Sequence, residues 1–223
     1  MYFCGMVSDK DVAAQLAEYL LQIKAIKLQP SQPFVWASGW KAPIYCDNRL
    51  TLSFPKVRTF IRQELARAIN NHFEKPDVIA GVATGGIAHG ALVAQELGLP
   101  FVYVRSSPKG HGLENCVEGK VESGQTVVVI EDLISTGQSS IKAIQALRET
   151  GCSIKGLVSI FDYGFEVAEK NFLEEKCPYF SLSNYDIILQ QAVKNRYISR
   201  EEAEKLKGWR ANPETWGASL KIA

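Results

Sequence analysis

Two adjacent acids and a group of small hydroxyl residues lie close together in TVVVIEDLISTGQSS, residues 126–140. Glu131 and Asp132 follow an apolar, β-branched run typical of a buried strand, and residues 135–139 are Ser-Thr-Gly-Gln-Ser. A helix that begins here offers unpaired N–H groups and the positive end of its dipole, which together bind a phosphate monoester. Gly137 lets the backbone approach that phosphate, and we expect a larger side chain to occupy the phosphate's place.

The two carboxylates need a different partner, because they would repel the phosphate. Sugar hydroxyls donate hydrogen bonds to carboxylates, so a ribose 5-phosphate fits, with its 2- and 3-hydroxyls against Glu131 and Asp132. The alternative is a strand that ends in solvated acids before an N-capped helix; the fixed order of strand, acids, Ser-Thr-Gly and helix favours the ligand site. The Walker A and G-x-G-x-x-G patterns are both missing, so neither a P-loop nor a dinucleotide site is predicted.

A second segment, RSSPKGHGLENCVEG (residues 105–119), combines three glycines with three basic side chains: Arg105, Lys109 and His111. We expect the glycines to make this loop mobile. Cations on a mobile loop suit a lid over a pyrophosphate, because they meet its negative charge as it develops and the loop then opens. The alternative is an ordinary solvated basic loop.

The surrounding sequence alternates apolar strands with amphipathic helices, which is typical of a parallel sheet covered on both faces. Strands are predicted at 77–83, 100–105, 126–133 and 154–163, with a short one at IYCD, and helices at 85–98, 139–151, 165–177 and 199–209. Before them, a helix is predicted from a capping box at residues 8–11 to about Ile26, and another from Pro55 to about Phe73. Ligands of such sheets bind beyond the carboxyl ends of the strands, where both segments described above lie.

Composition narrows the classes of function. The chain has 223 residues, which is the length of one large domain or of one domain with an add-on, and its net charge of +1 produces no global field that favours nucleic acid. Five dispersed cysteines indicate reduced thiols and a cytoplasmic protein, and the three histidines lack metal-ligand spacing. The sequence contains neither a signal-peptide pattern nor an apolar run of about 20 residues, so no membrane is expected as a partner.

The segment VVVIEDLISTGQS resembles the 5-phosphoribosyl pyrophosphate (PRPP) signature of the type I phosphoribosyltransferases, with Glu131 in place of the more frequent Asp. The pattern R-x-x-x-K-x-H-G from Arg105 and the segment FVWASGWKAPIYCDNR (34–49) resemble the orotate phosphoribosyltransferases among them. This resemblance implies that a set of residues binds PRPP: Arg105, Lys109, His111, Glu131, Asp132, Leu133, Ile134, Ser135, Thr136, Gly137, Gln138 and Ser139.

The same resemblance implies catalytic roles for Lys109, His111 and Asp132. It implies an orotate site formed by four residues: Ser135, Lys41, Tyr45 and Arg49. For Lys41 and Arg49 the alternative is ordinary surface charge. His89, within an apolar helix, is expected to be a packing residue.

Four positions depart from patterns common in that family. Ser106 stands where the family often has a lysine, and Gly85 where some members have one. Ala37 stands where many members have a lysine that contacts orotate, and Tyr163 where some have an arginine that contacts the base. The lost cations concern pyrophosphate binding and the orotate carboxylate rather than the reaction itself.

The family resemblance implies the type I phosphoribosyltransferase fold, an α/β fold with a central, mostly parallel sheet, helices on both faces and a small N-terminal hood. Residues 1–223 would form a single domain, with hood elements from about 1–50 and the C-terminal segment, and a PRPP-binding core at about 55–180. Expected features are Mg²⁺ bound through PRPP near Glu131 and Asp132, with no certain protein ligand, and a cytoplasmic homodimer that shares its catalytic loop. The alternatives are a purine phosphoribosyltransferase and a PRPP-sensing regulator without enzymatic activity.

Overall fold

A computed structural model of the protein describes residues 6–7, 9–35, 39, 41–107 and 116–216. Its centre is a seven-stranded sheet in the order β1-β11-β10-β9-β6-β7-β8. The strands are β1 (Met6–Val7), β6 (Val78–Val82), β7 (Phe101–Val104), β8 (Val117–Glu118), β9 (Thr126–Ile134), β10 (Ser153–Asp162) and β11 (Tyr179–Asn184). All neighbours pair in parallel except β7 and β8. This confirms the predicted mostly parallel sheet.

Helices cover both faces of this sheet, as the apolar strands require. The helices are α1 (Lys10–Gln22), α2 (Pro55–His72), α3 (Gly85–Leu97), α4 (Gln138–Glu149), α5 (Glu166–Glu174), α6 (Tyr185–Lys194), α7 (Arg200–Ala211) and α8 (Pro213–Trp216). One hydrophobic cluster contains Leu16 of α1, Ile61 of α2 and Leu206 of α7. A second cluster contains Ile144 of α4 and Phe172 of α5.

The N-terminal helix is shorter than predicted. Asp9 caps it, with its carboxylate accepting from the N–H groups of Asp11 and Val12, as the capping pattern indicates. It ends at Gln22 rather than near Ile26, because Lys24 adopts a positive φ of 57° and the chain turns into a short strand, β2 (Ile26–Leu28). The apolar spacing that extended to Ile26 therefore belongs to two elements.

The sequence analysis missed β11 and α6. Strand β11 carries two fully buried serines, Ser181 and Ser183, which interrupt its apolar pattern. The Ser181 hydroxyl lies 2.7 Å from that of Ser159 on β10, and Ser183 donates to the Ala13 carbonyl at 3.0 Å. These partners satisfy the buried hydroxyls, so serine is tolerated there.

Two small antiparallel ribbons precede the core of the fold. Strand β2 (Ile26–Leu28) pairs with β5 (Ile44–Cys46), and β3 (Phe34–Val35) pairs with β4 (Lys41–Ala42). A 3₁₀ helix, Asn48–Ser53, follows β5, and α8 near the C-terminus packs against β4. This part of the chain corresponds to the segment predicted to form the hood.

Candidate active site

The predicted site residues that the structure describes lie after the strands of the central sheet or in the ribbons beside it. The turn after β6 contains a cis peptide between Ala83 and Thr84, and α3 begins directly after it. Glu131 and Asp132 lie near the carboxyl end of β9. This strand ends at Ile134, and α4 begins four residues later, at Gln138. Parallel pairing of β6 with β7 and β9 brings these ends to one edge of the sheet.

Glu131 is the buried member of the acid pair, with only 4% of its surface exposed. Its carboxylate accepts hydrogen bonds from the Ser140 hydroxyl at 3.1 Å, the Ser139 hydroxyl at 3.4 Å and the Asp132 N–H at 3.1 Å. Burial, and then the neighbouring charge of Asp132, raises the pKa of Glu131 well above its ordinary value. The side chain therefore ties β9 to the first turn of α4.

Asp132 lies against the turn that opens α3. A β-carbon added to Gly85 would overlap the carboxyl carbon and both oxygens of Asp132, so the carboxylate occupies space that the glycine leaves free. Burial raises the pKa of Asp132, while the charge of Arg49 acts in the opposite direction. The sequence shows Gly85 where some family members have a lysine, but it does not indicate that the glycine makes room for the acid.

Residues 135–137 form the turn between β9 and α4. Gly137 is the N-cap residue of α4 with a φ of 76°, and no side chain among the described residues caps the first N–H groups of this helix. Those groups are available to an anion. Ser135 and Thr136 are half-buried, while Gln138 and Ser139 are exposed.

The expectation that a larger side chain at position 137 would occupy the phosphate's place is wrong. A β-carbon there would lie 3.0 Å from the Phe172 ring and 3.8 Å from Ala168, so it would point towards α5 and the core rather than towards a phosphate. Glycine is required by this contact and by the left-handed backbone conformation. Substitution would therefore disturb the turn before α4 through packing against α5.

Arg105 follows β7, and its guanidinium Nη1 lies 3.6 Å from a carboxylate oxygen of Glu118 on β8. Its backbone N–H donates to the Cys116 carbonyl, which fixes the start of the loop to its end. Lys109 and His111 lie outside the described residues, so their predicted roles stay predictions.

Three of the four predicted orotate-site residues, Lys41, Tyr45 and Arg49, lie in the ribbons and the 3₁₀ helix. Lys41 is half-buried on β4, and Tyr45 on β5 is 40% exposed, with its ring 5.6 Å from that of Phe34. Arg49 makes two contacts with the Asp47 carboxylate, at 2.7 and 2.9 Å, and this pair holds the pKa of Asp47 below its ordinary value. Arg49 and Asp132 affect each other's pKa values, which places the hood cation near the predicted ribose site.

Tyr163 belongs to an aromatic cluster rather than to a surface. It is 2% exposed, and its ring lies 5.0 Å from Phe161, 5.6 Å from Phe165 and 6.0 Å from Trp209. Burial raises the pKa of its phenol well above the ordinary value. At the position where some family members are expected to carry an arginine, Tyr163 of this chain is part of the hydrophobic core.

The acid pair suits a magnesium ion that is bound mainly by substrate. Within the described residues, no three side chains among His, Cys, Asp and Glu come together as a metal site. Mg²⁺ prefers carboxylate oxygens and commonly uses one or two of them together with phosphate oxygens and water. The carboxylate of Asp132, half-buried beside the first residue of α3, fits such a role.

A separate cleft lies beyond the carboxyl ends of β10 and β11. It has a volume of about 740 Å³, and among the residues that line it are Asp162, Asp186, Lys207 and Arg210. None of the predicted site residues described by the structure lines it.

Among the described residues, no helix has both the length and the apolar character needed to cross a membrane.

Comparisons with known proteins agree with this geometry. A model of the phosphoribosyl transferase domain matches residues 58–193, which include the β6 turn and the acid pair. The chain is 56% identical over 208 residues to an orotate phosphoribosyltransferase from Porphyromonas gingivalis, covering 93% of this chain and 99% of that protein. It is 54% identical over 209 residues to one from Bacteroides thetaiotaomicron, covering 94% and 99%.

A solved structure shows the same fold. The orotate phosphoribosyltransferase from Aeropyrum pernix superposes with a TM-score of 0.72 at 29% identity, covering 82% of this chain and 99% of that one. The matched domain covers most of the chain and the curated relatives match over almost their whole lengths, so this chain belongs to the orotate phosphoribosyltransferase family of phosphoribosyl transferase domain proteins.

Proposed function

We propose that this protein transfers the 5-phosphoribosyl group of PRPP to orotate, giving orotidine 5-phosphate and pyrophosphate in pyrimidine biosynthesis. The observation that carries this proposal is identity above one half, along nearly the full length of both chains, to enzymes named for this reaction. The site is compatible with it, because a free helix N-terminus, an acid and a glycine turn lie at the same edge of the sheet.

In this reaction the bond between ribose C1 and pyrophosphate breaks, and N1 of orotate forms a bond to C1. The first N–H groups of α4, together with Ser135, Thr136 and Ser139, hold the 5-phosphate. Asp132 holds the ribose hydroxyls and favours the positive charge that develops at C1. Glu131 shares the ribose role predicted from the sequence, and Leu133, Ile134 and Gln138 complete the loop around the ligand.

The leaving pyrophosphate requires positive charge. Arg105 holds it, and Lys109 and His111 stabilise the charge as it develops. Glu131 and Asp132 would lie near a Mg²⁺ ion bound through PRPP, and that ion would neutralise part of the charge on the leaving group. Ser135, Lys41, Tyr45 and Arg49 hold orotate.

We also propose the organisation that accompanies this activity. Hood elements from about residues 1–50 and the C-terminal segment cover a PRPP-binding core at about 55–180. The protein acts in the cytoplasm as a homodimer, and the 106–120 loop of each chain serves the site of its partner.

The test is a panel of bases assayed with PRPP and Mg²⁺. Orotate should be converted to orotidine 5-phosphate, with one pyrophosphate released for each product. Adenine, guanine, hypoxanthine and uracil should give no comparable rate. A purine nucleotide as the main product would instead assign a purine phosphoribosyltransferase, and no turnover with any base would favour a regulator that only binds PRPP.

A further inference from the structure

Asn48 connects the hood to the acid pair. It is 1% exposed, and its side-chain amide donates to the backbone carbonyl of Asp132, 84 residues further along the chain. The pairing of β6 with β9 ends at Gly81 and Ile130, two residues before Asp132. The Asn48 amide therefore supplies a donor where the neighbouring strand no longer pairs.

The orientation of this amide is fixed from its other side. The thiol of Cys46 donates to the Asn48 oxygen Oδ1 at 3.4 Å, which leaves the amide N–H group for the Asp132 carbonyl. Burial, and then the charges of Asp132 and Asp47, raises the pKa of this thiol well above its ordinary value, so it keeps its proton. Cys46, Asn48 and Asp132 thus form one directed chain of hydrogen bonds.

The backbone of Asn48 is anchored to α3. The Thr51 hydroxyl donates to the Asn48 carbonyl at 2.6 Å and lies 3.3 Å from Nε2 of His89. Burial lowers the pKa of His89 to about 4, so its ring is neutral. Because the single hydroxyl proton goes to Asn48, Nε2 of His89 is the donor to Thr51. Helix α3, which carries His89, begins at Gly85, and Gly85 lies against the Asp132 carboxylate. The network therefore reaches Asp132 twice, through the Asn48 amide and through the first residue of α3.

We propose that Asn48 is a positioning residue that holds the base site in register with Asp132, so that orotate and the ribose are aligned for transfer. This inference rests on the proposed function. Arg49 is the next residue and Tyr45 is three residues earlier, so a shift of Asn48 relative to Asp132 moves both predicted base contacts relative to the ribose. Misplacement by about 1 Å can cost two orders of magnitude in rate, because reacting atoms must approach in line.

The chain contains a matched residue for comparison. The Asn171 amide on α5 donates to the Thr136 carbonyl at 2.8 Å, so it holds the phosphate end of the same loop. Asn48→Asp and Asn171→Asp are the same chemical change, and both replace a donor with a carboxylate that cannot donate. The two variants differ in which carbonyl loses its hydrogen bond: that of Asp132 at the acid pair or that of Thr136 at the phosphate end.

The experiment measures kcat and the KM for PRPP of both variants with orotate, together with their unfolding curves. Asn48→Asp should lower kcat by about 10- to 100-fold and change the KM for PRPP by less than about threefold. Asn171→Asp should raise the KM for PRPP and retain most of kcat. Asn48→Asp with wild-type kcat, or with a rise in KM equal to that of Asn171→Asp, would overturn the inference.

A second pair of variants decides the question if Asn48→Asp does not fold. Cys46→Ala removes the donor to the Asn48 oxygen and should lower kcat several-fold, whereas Cys46→Ser keeps a donor and should restore it. Equal kcat values for these two variants would overturn the inference. Wild-type turnover of orotate, measured in the same series, tests the proposed function separately; its absence would overturn both.

Discussion

Substitution of two neighbouring glycines should distinguish an effect on catalysis by Asp132 from an effect on the stability of the fold. Gly85 and Gly86 are the first two residues of α3, so alanine at either position adds one methyl group to the same helical turn. At Gly85 that methyl group would meet the carboxylate of Asp132, the end of a side chain that can rotate away. At Gly86 it would lie 2.5 Å from the Ile130 carbonyl oxygen, where ordinary contacts are 3.4–4 Å and the obstacle is strand backbone.

The two variants should therefore fail in different assays. Gly85→Ala should change the free energy of unfolding by no more than about 1 kcal/mol, because alanine is the better helix former and only Asp132 must move. Its kcat/KM with PRPP and orotate should fall about 100-fold, as expected for one displaced charge-stabilising group. Gly86→Ala should lose about 1–3 kcal/mol of stability through overpacking against the strand.

Denaturant unfolding and initial-rate kinetics on the same preparations provide the measurement. Gly208→Ala is the control, because a β-carbon at this position of α7 meets nothing within 4 Å, and it should keep wild-type activity. If Gly85→Ala retains full kcat/KM, the carboxylate of Asp132 does not act from the position against this turn, and its assignment to the ribose must be abandoned.

Three further predictions follow from individual groups. Asp132→Asn should leave the free energy of unfolding nearly unchanged but lower kcat/KM by about two orders of magnitude; full activity would show that the carboxylate has no role in transfer. Burial raises the pKa of Asp162 from 3.8 to about 6, so its charge destabilises the fold above about pH 6, and this cost disappears as the pH falls towards 3.8. Asp162→Asn should therefore gain stability relative to wild type by up to about 3 kcal/mol between pH 4 and pH 7, and a pH-independent difference in unfolding curves would refute the buried charge. Finally, re-equilibrated mixtures of Lys109→Ala and Asp132→Asn should recover roughly a quarter of wild-type activity, because half of the dimers are mixed and each has one intact site; verified heterodimers without activity would place the loop over its own chain.

The sequence was sufficient for the strands and helices that carry most of the site. The apolar, β-branched run before Glu131 has few alternatives to a buried strand, and the helix after Gly137 follows from the turn residues. Strand β11 was missed because Ser181 and Ser183 interrupt the apolar pattern, and their hydrogen-bonding partners exist only after folding.

The finer arrangement of the site depends on contacts between distant residues. Nothing in the order Glu131-Asp132 indicates that the first acid is buried under Ser140 while the second lies against Gly85. Nothing in the sequence of the hood segment indicates a role for Asn48, whose amide donates to the Asp132 carbonyl only in the folded structure. Residue types and local spacing predict the chemistry, whereas the environment of each group requires the tertiary structure.

The central claim is tested most directly by isothermal titration and product analysis with the purified protein, Mg²⁺, PRPP and orotate. On this claim, PRPP should bind, orotate should be consumed, and orotidine 5-phosphate and pyrophosphate should appear in equal amounts, and Asp132→Asn should reduce the rate about 100-fold. Binding of PRPP without any product from orotate, or faster product formation from a purine base, would contradict it.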